Sequence, residues 1–255
     1  MSDETSKTAQ WGCNEWKANL FPSPTEKIDL PTIFERFYGL SHEEERNRPG
    51  EGILEFWSHD PVAARGLVQT PGKLEFYIRP REVHERPEVI RDMGIVVFPQ
   101  NSELPEQFAA QTSDFVGSGF LLRRIGVSAQ YSLNAGSYEE ARLFLLSQLI
   151  SVASIDPETS DFQFRINRPR PFVDGASAVT INRLCQWLTQ AITFEIMEPR
   201  GEDAKIINKV LALMIPDVNT DPVVDATSFS VESLKKLTKT LFEFAGEFAI
   251  NGEKP

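Results

Sequence analysis

The chain has 255 residues, 41% of them hydrophobic and 25% charged. These are the proportions of an ordinary folded protein, and they exclude a collagenous, low-complexity or wholly disordered polypeptide. Its 37 acidic against 26 basic side chains leave a formal charge of -11, which disfavours nucleic acid or an anionic membrane as partner unless basic residues gather in a patch.

The opening residues MSDETSKTAQ are acidic and hydroxylated where an export signal needs a basic stretch followed by an apolar run. Leu143–Val152, the longest nearly apolar stretch, is broken by Ser147 and Gln148 and falls far short of the about 20 residues that span a bilayer. No membrane association is expected. Cys13 and Cys185 stand far apart without a second pair, which fits a reducing cytoplasm and suggests neither a disulfide framework nor a zinc knuckle.

Residues 1–27 are rich in Ser, Thr, Asn, Glu and Pro around two isolated tryptophans, Trp11 and Trp16, and read as a polar N-terminal arm. The tryptophans either pin the arm to the rest of the chain or anchor a protein partner, a use for which Trp is enriched. Residues 28–255 read as one domain. Asp29 ahead of Pro31 marks a short helix with an apolar face of Ile33, Phe34, Phe37 and Leu40, and the charged His42–Pro49 reads as a solvated loop.

Beyond Gly52 the period shortens to that of strands, at Ile53–Trp57, Leu74–Ile78 and Ile95–Phe98. Phe120–Leu133 predicts a longer strand, with Ile125, Val127, Ala129 and Tyr131 on one face and Arg124, Gly126, Ser128 and Gln130 on the other. Ser137 and Glu140 make a capping-box pattern ahead of a run, Arg142–Val152, that is apolar nearly all round and predicts a helix packed on both sides. Phe162, Phe164 and Ile166 alternate with Gln163, Arg165 and Asn167 in a strand ended by Pro169 and Pro171. Val179–Met197 fits mostly strand, and Val210–Ile215 is an apolar run ended by Pro216. Ser230 caps a last helix whose Leu234, Leu237, Leu241, Phe244 and Phe248 form one core stripe. The expected fold is therefore α+β: a single domain with an N-terminal arm, a mainly antiparallel sheet of six or more strands, and three to four helices. No internal repeat is visible at a fixed period.

The familiar chemical motifs are absent. There is no phosphate loop, no Gly-rich dinucleotide turn, no His-Glu-x-x-His, no Gly-x-Ser-x-Gly and no calcium loop, so no cofactor, metal or catalytic residue is assigned. The serines in Val116-Gly-Ser-Gly119 and Asp174-Gly-Ala-Ser177 read as turn residues. His42, His59 and His84 each neighbour an acid but share no ligand spacing, and Cys185 sits among apolar residues with no cationic partner to activate it. The phrases Asp161–Arg170, Ile181–Trp187 and Pro216–Asp221 have a bacterial look but carry no family signature and no activity.

Arginine usage is the one uneven feature. Of 13 basic residues between Glu51 and Glu198, 12 are arginine and Lys73 is the single lysine, against 19 acids. Arg79 and Arg168 lie in similar Arg-Pro phrases at strand ends, and Arg165 and Arg124 fall on polar strand faces. Arginine's planar fork suits carboxylate and phosphate, while cross-strand ion pairs would use the same residues. Two functional expectations follow. The first is a non-enzymatic module whose acidic surface meets a more basic protein partner. The second is a nucleotide, phosphate or small-molecule binder, with or without catalysis, using a polar sheet face that carries Tyr77, Arg79, Arg124, Gln163, Arg165, Asn167 and Arg168, with Arg79, Arg124 and Arg165 converging on one pocket.

Overall fold

The two-residue period that sorts Ile125 from Arg124 extends across a ten-stranded antiparallel sheet backed by four helices. The computed structural model describes residues 10–81, 96–159, 161–175, 177–196, 205–222 and 229–253. In chain order the elements are β1 (Gly12–Pro22), α1 (Leu30–Tyr38), β2 (Glu44–Arg48), β3 (Ile53–His59), β4 (Ala63–Thr70), β5 (Lys73–Pro80), α2 (Leu104–Val116), β6 (Leu122–Ala135), α3 (Tyr138–Gln148), β7 (Gln163–Asn167), β8 (Arg170–Asp174), β9 (Ser177–Ile196), β10 (Lys205–Thr220) and α4 (Val231–Asn251).

The sheet order is β2-β3-β4-β5-β1-β6-β10-β9-β7, with β8 also pairing β9. Read along the chain, this is one course run twice. A strand leads to a helix, then to four strands, then to a closing helix: β1, α1, β2 to β5 and α2, followed by β6, α3, β7 to β10 and α4. In each half the first strand pairs with the last, β1 with β5 and β6 with β10. The two first strands then pair antiparallel with each other, Trp16 opposite Ala129 and Leu20 opposite Ile125, which is the connectivity of a two-fold about the seam. The repeat is one of topology. Its halves differ in strand length, residue pattern and outer pairing, since β2 pairs with β3 whereas β7 and β8 both lie along β9, so what repeats is the order of elements and the pairing at the seam.

One face of the sheet carries the core. Trp16, Ala18 and Leu20 of β1 point there with Leu74, Phe76 and Ile78 of β5, and with Ile125, Val127 and Ala129 of β6. Phe37 of α1 stacks on Phe76 at 4.0 Å, Phe242 of α4 meets both Trp16 and Phe108 of α2, and Phe248 meets Trp187 of β9. Ala141 and Leu145 bring α3 into the same apolar cluster. That cluster runs through both halves, so the molecule is a single α+β domain, and the opposite face of the sheet carries none of these helix contacts.

The helix ends follow their sequence signals. Asp29 precedes α1 and accepts from the Thr32 hydroxyl at 2.6 Å, and Gly39, at φ 71°, closes the helix with its N–H on the Glu35 carbonyl. Ser137 accepts from the Glu140 N–H, while the Glu140 carboxylate reaches back to the Gly136 N–H, a capping box displaced by one residue. Ser230 accepts from the Ser233 N–H. The α4 stripe then buries Leu237, Leu241 and Phe248, each contributing about 1.5–3 kcal/mol.

Several expectations change. Gly12–Pro22 of the expected arm is β1, near the middle of the sheet, because its alternate residues Trp16, Ala18 and Leu20 are core residues; residues 1–9 lie outside those described. The expected loop at His42–Pro49 contains β2, whose charges are what an edge strand carries. Of Ile95–Phe98, Ile95 is outside the described residues, and Val96–Phe98 lies beside β1 as irregular chain, the Phe98 N–H donating to the Cys13 carbonyl. In α3, Leu143 is 61% exposed, so this helix packs on one side only. Pro216 does not end its strand: β10 continues through it to Thr220, and the ladder to β6 lapses between Met214 and Asp217, where a missing N–H costs least.

A groove on the open sheet face

Register decides which predicted residues share a surface. Tyr77 and Arg79 alternate with core-facing Phe76 and Ile78, Arg124 with Ile125, and Gln163, Arg165 and Asn167 with Phe164 and Ile166, so all six lie on the face opposite the four described helices. Arg168 falls on the other side, where it reaches Glu253 beyond α4.

The arginines do not converge. Four strands separate β5 from β7, so at about 4.8 Å per step Arg79 and Arg165 stand about 24 Å apart. Arg79 is paired with Glu15 and lies over the rings of Tyr77 and Trp57, 5.0 and 5.4 Å from their centroids. Arg165 is exposed opposite Gln186, and Gln163 is exposed opposite Leu188. Asn167 donates to Asn182. The expectation of one pocket lined by Arg79, Arg124 and Arg165 is therefore overturned, and of the three it is Arg124 that lines the cavity at the seam of the two halves.

That cavity is a groove of about 310 Å3 along the seam of the two halves. From the first half come Lys73 of β5 and Lys17, Asn19 and Phe21 of β1; from the second come Arg124, Gly126 and Ser128 of β6, with Asp217 and Asn219 of β10. Gly126 forms its floor between two asparagines, and a Cβ there would stand 3.1 Å from that of Asn219 and 3.5 Å from that of Asn19. Arg124 donates to the Asn219 side-chain oxygen at 2.6 Å and lies over the Phe21 ring, yet its Nε is buried without a partner. Asn19 and Ser128 are 9% and 8% exposed, and neither side chain has a hydrogen bond among the described residues.

A second hollow of about 420 Å3 adjoins the first, sharing Phe21, Lys73 and Arg124 and adding Arg123 and Glu26. Four cations thus face the two hollows against two carboxylates, Asp217 and Glu26. Both carboxylates are engaged already, Asp217 by the Asn219 amide and Glu26 by the Leu121 N–H. Beneath them Glu75 bridges Lys73 at 2.7 Å and Lys17 at 3.3 Å. Burial pushes the Glu75 carboxyl up, but the hydrogen bond and charge of Lys73 with those of Lys17 outweigh it and hold it below its ordinary value. Burial likewise pushes the neighbouring Tyr77 phenol up, helped by the charges of Glu75 and Glu15, so it stays a neutral donor.

Arg124 and Ser128 were legible from the alternation of their strand. Lys17 lay in the expected arm and Lys73 in a separate run, and only the order β5-β1-β6-β10 brings them beside Arg124. The isolation of Lys73 in an arginine-rich stretch was the one available signal.

The other candidates go elsewhere. Trp16 is buried against Tyr131 and Phe242, and Trp11 packs on Phe144 of α3, so both indoles serve packing within the chain. His42 lies edge-on to Phe56, and His59 stacks over Trp57; His84 is outside the described residues. Among the described residues no group of three His, Cys, Asp or Glu side chains is placed to hold a metal ion. Burial raises the thiol of Cys13 to about 12 and that of Cys185 well above its ordinary value. No helix among the described residues is long and apolar enough to cross a membrane. No protein-family model, curated protein or solved structure matches the chain.

Proposed function

We propose that the protein binds a small anionic ligand, a phosphate or a carboxylate, in the groove at the seam of its two halves. The observation that carries this reading is the charge of the lining. Lys17, Lys73, Arg123 and Arg124 face Asp217 and Glu26, with Glu75 beneath the two lysines, so cations outnumber carboxylates there within a chain of net charge -11. Concentrating cations in a hollow of a low-dielectric sheet raises the local concentration of anions against the field of the whole molecule. Asn19, Ser128 and the Arg124 Nε add donors that the fold itself leaves unused, and charge-assisted hydrogen bonds from such donors are the strong ones.

Titration calorimetry of the full chain with inorganic phosphate and with citrate, in low-salt buffer, tests the proposal. Saturable binding that weakens with added salt is expected, with a loss of about tenfold or more in Arg124→Gln, the cost of one hydrogen bond to a charged group. Heats of dilution alone for both anions would refute it.

A further inference from the structure

The two hollows differ in character, and together they describe a ligand with two parts. The groove over Gly126 is polar, floored by Asn19, Asn219 and Ser128. The hollow beyond Phe21 sets an apolar wall of Pro22, Pro24, Ile28 and Pro222 beside the charged Glu26 and Arg123. Ile28 is 38% exposed, an uncovered apolar side chain on this rim. Phe21, Lys73 and Arg124 are common to both hollows, so a bound group can pass from one to the other along the Arg124 guanidinium. A volume of about 420 Å3 falls within the range of small-molecule sites, which are mostly apolar with a few fixed polar groups.

We infer that the ligand is a phosphate monoester with a flat apolar body, its phosphate over Gly126 and its body against Phe21, Pro24 and Ile28. This rests on the anion-binding reading above and goes further in naming the ester. A phosphate monoester offers three acceptor oxygens and a charge near two. It thereby matches the several separate donors of the groove, which the two oxygens of a carboxylate cannot all reach. The apolar wall has no counterpart in inorganic phosphate.

Calorimetry of the full chain with phenyl phosphate and with inorganic phosphate separates the two levels. Phenyl phosphate is expected to bind at least tenfold more tightly. In Ile28→Ser, a surface change checked by circular dichroism and thermal melting, that advantage should shrink severalfold while the affinity for inorganic phosphate stays the same. In Arg124→Gln both ligands should weaken together. Equal affinity for the two ligands, or an advantage untouched by Ile28→Ser, overturns the two-part site and leaves the anion site standing. Binding of neither removes both.

Discussion

The carboxylate of Glu253 and the guanidinium of Arg168 meet at 3.0 Å in a site where Glu253 is fully enclosed. Arg168 comes from the short break between β7 and β8, which run in line along β9, whereas Glu253 follows α4, so the pair ties the outer edge of the sheet to its last helix. Glu253 also accepts from the backbone N–H groups of Ile150 and Ser151 and from the Ser151 hydroxyl, and thereby holds the exit of α3. Removing a carboxylate with this many partners strands a mostly buried arginine and frees two backbone donors at the exit of α3. Glu253→Ala is expected to destabilise the fold by about 3–5 kcal/mol in urea unfolding, and Glu253→Gln by less, since its amide oxygen can still accept. A loss under about 1 kcal/mol would mean that the clasp is dispensable.

A second structural constraint lies on the open face, where Gly66 of β4 sits under the indole of Trp57. A Cβ at Gly66 would come within 2.4 Å of the Trp57 ring, and that ring is fixed by its N–H on Glu55 at 3.0 Å and by Arg79 above it. The indole cannot tilt without breaking both. Gly66→Ala is expected to cost about 1–3 kcal/mol, as overpacking does, and to shift tryptophan emission to the red as the ring is expelled. Unchanged emission with unchanged stability would show that the ring moves freely.

Much of this architecture could be read from residues, and the parts that could not share a cause. Period and caps report what a segment does by itself: β6 and β7 from their alternation, α1, α3 and α4 from Asp29, Ser137 and Ser230. Where a neighbour decides the structure, the pattern is mute. β2 is a strand because β3 offers it an edge. β4 carries Gly66 where an alternating pattern would place a side chain, because Trp57 fills that space. In α2 only Phe108, Thr112, Phe115 and Val116 are buried, too brief a stripe to stand out. Trp16 reads equally as a pin to the same chain or an anchor for a partner until Phe242 of α4 is seen beside it. The site divides in the same way: parity placed Arg124 and Tyr77 on an open face, but Lys17, Lys73 and Asn219 join them only through strand order, which no local pattern encodes.

The two cysteines lend themselves to a direct chemical test. Cys13 is raised to about 12 by burial, with the Glu15 charge adding to it, and Cys185 is raised well above its usual value by burial. At pH 8 a thiol at 12 is ionised to about one part in ten thousand, and the thiolate is the reactive form. The native protein should therefore resist a disulfide reagent such as DTNB for many minutes, and two thiols per chain should react at once in guanidinium. A fast-reacting thiol in the native state would contradict the burial of these two side chains.

Glu75 links stability to the groove. Its folded value lies below the ordinary 4.5 because Lys73 and Lys17 outweigh its burial. The stabilisation it provides is therefore fully present above the unfolded value and is lost as pH falls through the folded one. The same carboxylate also draws on the two lysines that the anion needs. Glu75→Gln is expected to lower the denaturation midpoint at pH 7 and to flatten the acid limb of the stability profile. It should also tighten inorganic phosphate severalfold, because Lys17 and Lys73 no longer share their charge with an internal partner. Denaturation between pH 3 and 7, with calorimetry at pH 7, reads both effects. Weaker phosphate binding in this variant would mean that Glu75 serves to position the lysines for the ligand, and that its competition with the anion is the smaller effect.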